Sequence, residues 1–297
     1  MQVFGPVHVY LGEKSGKYPD GNQVIVQGAD MRVAFDTPQV ANRLGDVLAG
    51  VDLIVLGHVH EDHMAGLHLL PHTPVQVHES DVAAAQSWQG LAAHFGYAPD
   101  VLAQLRPYIE REFHYQPRPD ATAYADGAEW ALGGGVRIRA HHLPGHTAGH
   151  CALVEESQGV AFIGDIDLSG FGPYYGDATS DLNAFERSLA RVRELDARVW
   201  ITSHHRAVLT ERGAFEQALD AFSAKIAQRD ERLLAWLRDR PHTLDELAAR
   251  GLLYPPGTAL PWAAHAERRT IAQHLSRLLA QGEVVQQEGR YGVIATK

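Results

Sequence analysis

The chain has 297 residues, enough for one large domain and a small appendage, and its 26 Lys and Arg against 36 Asp and Glu give a formal net charge of −10. Its 45% hydrophobic and 21% charged residues are typical of a globular protein and exclude a disordered polyelectrolyte. No apolar stretch reaches the roughly 18 residues of a membrane-spanning helix, and the first residues lack a secretion-signal pattern. With its single cysteine, Cys151, the chain is expected to be cytoplasmic.

The first 57 residues are predicted to form strands separated by turns. Apolar and β-branched residues cluster at 3–11, 23–27 and 31–35, with Gly, Pro, Asp and Asn between the clusters. Residues 40–48 have the spacing of a short amphipathic helix. The run at 51–56 then indicates a buried strand that ends at Gly57.

Three histidines and one aspartate follow this strand within six residues, at His58, His60, Asp62 and His63. Open α/β sheets place their chemistry at the carboxyl ends of strands. Imidazole and carboxylate ligands suit zinc, iron or manganese, and the absence of thiolate ligands argues against a closed structural zinc site. The segment therefore predicts a metal site, with a His-rich polar loop as the alternative in a chain that has 18 histidines.

After a strand at 75–78 the chain changes character. Residues 80–94 and 99–113 have helical spacing and little β-branching, so a helical insertion is predicted at about 80–115. It is a candidate element for shaping a substrate site, and simple packing is the alternative. Two strands are predicted next, at 129–132 and 136–142.

Four further segments join the 58–63 motif in a set order along the chain. They are Ala34-Phe35-Asp36-Thr37, Pro144-Gly145-His146-Thr147 with Gly149-His150, Phe162-Ile163-Gly164-Asp165, and Ser203-His204-His205 after an apolar strand. Over roughly residues 2–222 this combination resembles the metallo-β-lactamase superfamily. The resemblance implies an α/β, four-layer αββα fold, with two mixed β-sheets sandwiched between helices.

The resemblance also implies two divalent metal ions, for which zinc is expected and iron or manganese are alternatives. Carried over residue by residue, the ligands would be His58, His60 and His146 for the first ion, Asp62, His63 and His204 for the second, and Asp165 as the bridge. Asp36 would support the metal loop. The β-lactamases proper commonly have a cysteine at the bridging position, so Asp165 favours the branch similar to glyoxalase II. His204 is preferred over His205 as the last ligand by the same analogy.

Two cations about 3.5–4 Å apart can share one water and lower its pKa towards about 7. The expected nucleophile is the resulting metal-bound hydroxide, and Asp62 is assigned the catalytic role of orienting it. The glycine-rich segment after Asp165 is predicted to supply pocket walls through Phe171, Tyr174 and Tyr175, with packing under a loop as the alternative. His205 is expected to line the same pocket.

Residues 225–297 have a different pattern from the rest. Helical spacing at 226–238, 244–250 and 264–280 precedes a hairpin pattern at 282–294, an arrangement similar to a winged helix. The domains are therefore predicted as 1–222 and 225–297. The second contains 11 Lys and Arg against 8 Asp and Glu, which leaves 15 against 28 for the rest. The acidic first domain disfavours a nucleic-acid partner, so dimerisation or pocket closure is the preferred role of the second.

The function hypothesis is a metallo-hydrolase, similar to hydroxyacylglutathione hydrolases, that cleaves a thioester, ester or lactone bond of a small acyl substrate. One alternative is a ribonuclease-like enzyme, in which Arg268 and Arg269 would contact nucleic acid. The other is an enzyme similar to the persulfide dioxygenases, with one iron. A membrane partner is not expected, and a homodimer is left open.

Overall fold

Two β-sheets, built from short strands with alternating side chains, form the centre of the computed structural model, which describes residues 1–294. The strands of the first sheet are Gln2–Phe4 (β1), Val7–Tyr10 (β2), Gln23–Gln27 (β3), Arg32–Phe35 (β4), Leu53–Leu56 (β5), Val75–His78 (β6) and Thr122–Tyr124 (β7). They lie in chain order, antiparallel from β1 to β4 and parallel from β4 to β7. This sheet is therefore mixed.

The second sheet has six strands. They are Glu129–Gly133 (β8), Val136–His142 (β9), Cys151–Glu155 (β10), Val160–Phe162 (β11), Val199–Ile201 (β12) and Val208–Leu209 (β13). Their spatial order is β13-β12-β11-β10-β9-β8, and only the β11–β12 pair is parallel. The second sheet is mixed as well.

The helices cover the outer faces of the two sheets. They are Val82–Gln86 (α1), Trp88–Phe95 (α2), Pro99–Glu112 (α3), Leu182–Arg193 (α4), Arg212–Asp239 (α5), Leu244–Ala248 (α6) and Ala263–Ala280 (α7). Short 3-10 turns occur at Gln39–Arg43, Gly45–Leu48, Glu61–His63, Leu67–Leu69 and Glu79–Asp81. Helices α1 to α3 pack on the first sheet, and α4 with the first half of α5 packs on the second.

Side-chain alternation along β5 shows why four layers form. Leu53 and Val55 point into the core between the sheets, whereas Ile54 and Leu56 point to the helices outside. Strands buried on both faces need apolar residues at every position, which is what this run supplies. The predicted α/β fold of two mixed sheets between helices is confirmed.

Several predicted elements differ in detail because turn residues interrupt them. The strand predicted at 3–11 is a hairpin that turns at Gly5, where φ is +56°. The helix predicted at 40–48 is two 3-10 turns, the second of which begins at Gly45 in the left-handed region. The helix predicted at 80–94 breaks at Ser87, whose extended backbone lets its hydroxyl accept from the Gly90 N–H and cap α2.

The chain passes from the second sheet to the last residues without a linker. Helix α5 runs continuously over Arg212–Asp239, so the predicted domain boundary at 222–225 falls inside a helix. Beyond it, α6, α7 and an antiparallel hairpin of Val284–Gln287 (β14) and Arg290–Val293 (β15) enclose a separate apolar cluster. The predicted order of helices and hairpin is confirmed. The division into two domains and the winged-helix class stay predictions.

Trp200 tests the packing of the second sheet on its helical layer. Its side chain is 1% exposed and stacks on Phe215 of α5, with ring centroids 4.3 Å apart. We expect Trp200→Ala to lower the free energy of unfolding in urea by about 3–5 kcal/mol, because a large buried aromatic leaves a cavity. Leu69→Ala, at a side chain 43% exposed, is the control. A loss below about 1 kcal/mol for Trp200→Ala would contradict this packing.

Candidate metal centre

The ends of three strands, one from the first sheet and two from the second, bring the predicted ligands to one edge of the sandwich. The 58–63 motif follows β5, Asp165 follows β11, and His204 follows β12. Because β11 and β12 run parallel, their carboxyl ends lie side by side. His146 reaches the same place from the loop between β9 and β10.

Four of the predicted ligands form a first set. The Nδ1 atom of His60 lies 3.2 Å from Nε2 of His58 and 3.1 Å from Nε2 of His146. The Oδ2 atom of Asp165 is 3.2 Å from the same His146 nitrogen and 4.0 Å from His58 Nε2. These four ligand atoms converge closely enough to surround one cation.

A second set lies on the other side of the Asp165 carboxylate. Its Oδ1 atom is 3.1 Å from Nε2 of His63 and 3.6 Å from Nε2 of His204. The Oδ2 atom of Asp62 is 3.0 Å from that His204 nitrogen and 3.7 Å from His63 Nε2. The two oxygens of Asp165 therefore face two different ligand groups, as a bridging carboxylate would.

Several of the ligand atoms are suited to binding a cation and lack hydrogen bonds within the protein. Among residues 1–294, Nε2 of His63, Oδ1 of Asp165 and Nε2 of His204 are buried and have no hydrogen-bond partner. Buried polar atoms are nearly always paired, so three unpaired atoms within one cluster of potential ligands fit a bound cation. Zinc–nitrogen bonds of about 2.0–2.1 Å in tetrahedral geometry place ligand atoms about 3.3 Å apart, close to the shortest separations here.

Four of the five ligand imidazoles, all except His58, are oriented through their other ring nitrogen. His60 Nε2 lies 2.8 Å from Asp177, and His63 Nδ1 lies 2.7 Å from Asp36, whose other oxygen accepts from the Gly57 N–H. His146 Nδ1 lies 3.0 Å from the carbonyl oxygen of Tyr174, and His204 Nδ1 lies 2.9 Å from the carbonyl oxygen of Gly16. Such partners set the tautomer and the direction of a metal-binding nitrogen.

Proton and cation compete for the first ligand set. Burial opposes protonation of His60, but the hydrogen bond and negative charge of Asp177 raise its pKa to about 9. Burial likewise opposes ionisation of Asp165, yet the surrounding imidazoles hold its pKa well below the usual range. A cation binding at His60 must therefore displace a proton from Nδ1.

His150 holds the backbone of the bridging residue. Burial lowers its pKa to about 3, so the ring is neutral, and its Nε2 accepts from the Asp165 N–H at 3.1 Å. Its Nδ1 lies 3.1 Å from the Leu143 carbonyl. Gly164 is needed beside it, because φ is +56° there and a Cβ would lie 2.6 Å from His150 Nε2. His150 thus packs beside the site, with both ring nitrogens in contact with the backbone.

A family model described as the metallo-beta-lactamase superfamily matches residues 31–204, which contain all seven converging ligands. The chain belongs to this superfamily. The expected membership of the metallo-β-lactamase superfamily is thus confirmed. The prediction that the protein is a metallo-hydrolase of this superfamily is confirmed as well.

Relatives of this superfamily member extend the likeness beyond the matched domain. It is 26% identical to "Beta-lactamase-like protein 2 homolog" of Drosophila melanogaster, over 89% of this chain and 83% of that protein. It is 25% identical to an atrochrysone carboxyl ACP thioesterase of Aspergillus fumigatus, over 80% of this chain but only 51% of that protein. With hydroxyacylglutathione hydrolase GloC of Haemophilus influenzae the identity is 28%, over 46% of this chain and 58% of that protein.

Solved structures show the same architecture. A metallo-beta-lactamase family protein from Thermus thermophilus superposes with a TM-score of 0.70 and 25% identity, over 97% of this chain and 99% of that one. A beta-lactamase domain protein from Burkholderia ambifaria has a TM-score of 0.66 at 18% identity, over 99% and 94%. Both likenesses include the last quarter of this chain.

A cavity of about 420 Å³ opens onto the ligand cluster of this superfamily member. Its floor consists of His60, Glu61, Asp62, His146, Asp165 and His204. The walls are mostly aromatic and aliphatic, and they are formed by Tyr18, Phe95, Tyr97, Leu105, Phe171, Tyr174, Tyr254, Leu260 and Trp262. Lys17, Asp167, Asp177 and His205 complete the lining.

Three of the four predicted substrate residues line this cavity and one does not. Phe171, Tyr174 and His205 do, and their contact with a substrate stays a prediction. Tyr175 is fully buried and is absent from the lining. Its hydroxyl points to the C-terminal helices, 2.7 Å from Arg229 and 2.9 Å from His274. For this side chain the alternative, packing under the loop, is correct, because neighbouring residues of an extended loop point opposite ways.

Two buried aspartates that support the site have no sequence signal. Asp177 binds His60 across 117 positions and also accepts from the Tyr97 hydroxyl at 2.5 Å. Asp81 accepts from the Val59 N–H and from Thr147 and Gly149, which ties the 58–63 loop to the loop of His146. Both partnerships join distant segments, so only the folded chain displays them.

The C-terminal part closes the cavity through three residues of the 254–262 segment, Tyr254, Leu260 and Trp262. The two arginines considered for nucleic acid have partners within the protein. Arg269 donates to the carbonyls of Phe95 and Gly96 at the end of α2, and Arg268 pairs with Asp245 at 2.8 Å.

The sequence predicted no membrane partner. Among residues 1–294, no helix is long and apolar enough to cross a bilayer.

Asp177 and Asp36 test the two ligand sets separately. Asp177→Asn is expected to weaken the metal affinity of the first set by about 10–100-fold, and Asp36→Asn that of the second by a similar factor, since each loses a carboxylate that orients one histidine. Stepwise metal titration against a chelator measures both affinities. Asp196→Asn, at an exposed aspartate, is the control. Unchanged affinities in both variants would contradict this arrangement.

Proposed function

We propose that the protein is a metal-dependent hydrolase that cleaves the thioester bond of a small acyl substrate. The observation behind this proposal is the Asp165 carboxylate, whose two oxygens face two separate ligand sets at the floor of an apolar cavity. Relatives named as an ACP thioesterase and a hydroxyacylglutathione hydrolase support a thioester over an oxygen ester or a lactone.

The residues on both sides of Asp165 are suited to hold two divalent cations. His58, His60 and His146 would hold one, Asp62, His63 and His204 the other. Bound there, divalent cations would supply Lewis acidity towards the substrate carbonyl and lower the pKa of a water. Nitrogen and carboxylate ligands are compatible with zinc, iron or manganese, with zinc as our first choice.

The chain's own residues do the remaining work. Asp62, on the cavity floor, is placed to accept a hydrogen bond from the attacking water and so to orient it. Water adds across the bond between the acyl carbon and sulfur: the carbon gains a hydroxyl, and the sulfur leaves as a thiol with the second proton. The apolar walls exclude other water and bind the acyl chain.

The wall composition also separates this proposal from its rivals. A polynucleotide would need cationic walls, whereas Lys17 is the one Lys or Arg that lines this cavity among the described residues. The convergence of a second ligand set, with three orphaned atoms, supports two ions over the single iron of a persulfide dioxygenase-like enzyme.

Loss of the bridge should abolish turnover. We expect His58→Ala and Asp165→Ala each to reduce thioester hydrolysis by at least about a thousandfold, measured as thiol release by protein reconstituted with zinc, iron or manganese. Thioesters, oxygen esters and lactones with one common acyl group form the panel. His72→Ala, at an exposed histidine, is the control. Full activity of the Asp165 variant, or turnover of none of the panel with any metal, would refute the proposal.

Leu260 tests the acyl-binding wall. It is partly buried and lines the cavity. Leu260→Gln should reduce the preference for an octanoyl over an acetyl thioester, measured as the ratio of their kcat/KM values, by roughly tenfold, because a polar amide replaces apolar contact area. Leu69→Gln, on the surface, serves as the matched control. An unaltered ratio would place the acyl chain elsewhere.

A further inference from the structure

A second cavity, of about 340 Å³, lies on the other side of the loop that contains Phe171. Three cationic side chains of α5 line it, Lys225, Arg229 and Arg232, and no acidic residue of the described chain does. We call it the basic pocket. In a protein whose net charge is −10, a cavity whose charged lining residues are all cationic requires an explanation.

Helical geometry directs the three cations to one place. Positions 225, 229 and 232 are spaced i, i+4 and i+7, so they share one face of α5. None of the three forms an ion pair with any of residues 1–294, although most other arginines of the chain do. Their charges are therefore free to meet an anion from outside.

Arg229 is the buried member of the group, with 6% of its surface exposed. Its donors reach neutral acceptors only, namely the carbonyls of Pro173 and Phe171 and the hydroxyl of Tyr175. These bonds hold the guanidinium in place but do not neutralise its charge. A buried charge without a counter-ion is costly, and an anion in the basic pocket would relieve that cost.

The basic pocket and the active-site cavity share one lining side chain, Phe171. Its ring centroid is 5.8 Å from the Arg229 guanidinium carbon. The residue is 40% exposed and lines the two cavities in common. The cationic side chains of α5 and the metal ligands therefore belong to two cavities that meet at the same residue.

We propose that the basic pocket binds the phosphate of a phosphorylated pantetheine thiol whose acyl thioester lies in the active-site cavity. The inference rests on the proposed thioester hydrolysis and specifies its substrate class. A phosphate accepts hydrogen bonds from several cations at once, and Arg and Lys are the residues that proteins use for it. The pantetheine arm joins a phosphate to a thiol through an uncharged chain, which matches a cationic and a mostly apolar cavity that share the side chain of Phe171.

Binding is tested first without turnover. Calorimetry compares coenzyme A, 4′-phosphopantetheine, pantetheine and glutathione, all of which present a thiol. Both phosphorylated ligands should bind about tenfold more tightly than pantetheine, and added salt should weaken them, since the difference is one of charge. Equal affinities for phosphopantetheine and pantetheine would overturn the proposal, as would tightest binding of glutathione, whose anions are carboxylates.

Variants then locate the effect. Arg232→Ala should remove most of the difference between phosphopantetheine and pantetheine, Lys225→Ala should act in the same direction, and Arg232→Lys should retain part of it. Arg238→Ala removes one positive charge from the last turn of the same helix, outside the pocket lining, and is the matched control. Circular dichroism checks folding. If Arg238→Ala and Arg232→Ala had equal effects, the preference for phosphopantetheine over pantetheine would arise from the overall charge of the protein. That result would refute the site.

A kinetic arm separates the two proposals. With acyl-coenzyme A, acyl-phosphopantetheine and acyl-pantetheine as substrates, Arg232→Ala should lower the kcat/KM ratio of the phosphorylated to the unphosphorylated thioester by about tenfold, chiefly through KM. If the kcat/KM ratio relative to acyl-pantetheine were larger for acyl-coenzyme A than for acyl-phosphopantetheine, the thiol of the substrate would be identified as one that bears a nucleotide. Phosphate-dependent binding without hydrolysis would refute the proposed function alone. Hydrolysis that is indifferent to phosphate would refute this inference alone.

Discussion

The position of one carboxylate, that of Asp165, decides whether the two ligand sets of this protein act together. One oxygen lies against His146 and the other against His63, so a small shift of the carboxylate would favour one set over the other. The backbone of Asp165 is held by the neutral ring of His150, and the glycine before it leaves room for that ring. Most of the remaining structure can be understood as support for this position.

The layered fold supplies that support because strand ends are rigid. Strands β5, β11 and β12 are buried on both faces, between the other sheet and a layer of helices, and each stops two or three residues before a ligand. The ligands are thus positioned by the sheets while lying in loops open to a substrate. Behind them Asp36, Asp81 and Asp177 bind loops to one another. Four of the five ligand histidines direct one nitrogen to the centre and hold the other in a hydrogen bond, to Asp36, to Asp177 or to a backbone carbonyl.

The C-terminal region supplies part of the cavity wall and contacts the rest of it. Arg269 of α7 holds the end of α2, and Arg229 of α5 holds the loop of Phe171, so both walls of the cavity depend on them. Tyr254, Leu260 and Trp262 complete the enclosure. The pocket-closing role considered for this region agrees with these contacts, and α5 connects it to the second sheet without a break.

The amino-acid sequence by itself determined the parts that depend on local pattern. Apolar runs ending in Gly57 or before Asp165, and histidines spaced by one or two residues, are local features, and they predicted the strands and a metal site. The resemblance of these motifs to the superfamily implied the αββα class and the seven ligands. Tertiary structure alone decided the rest. Asp177 meets His60 across 117 positions, Tyr175 turns away from the cavity while Tyr174 lines it, and α5 crosses the expected boundary. These outcomes depend on which distant surfaces pack together, and packing between segments far apart leaves no periodicity or spacing in a single chain.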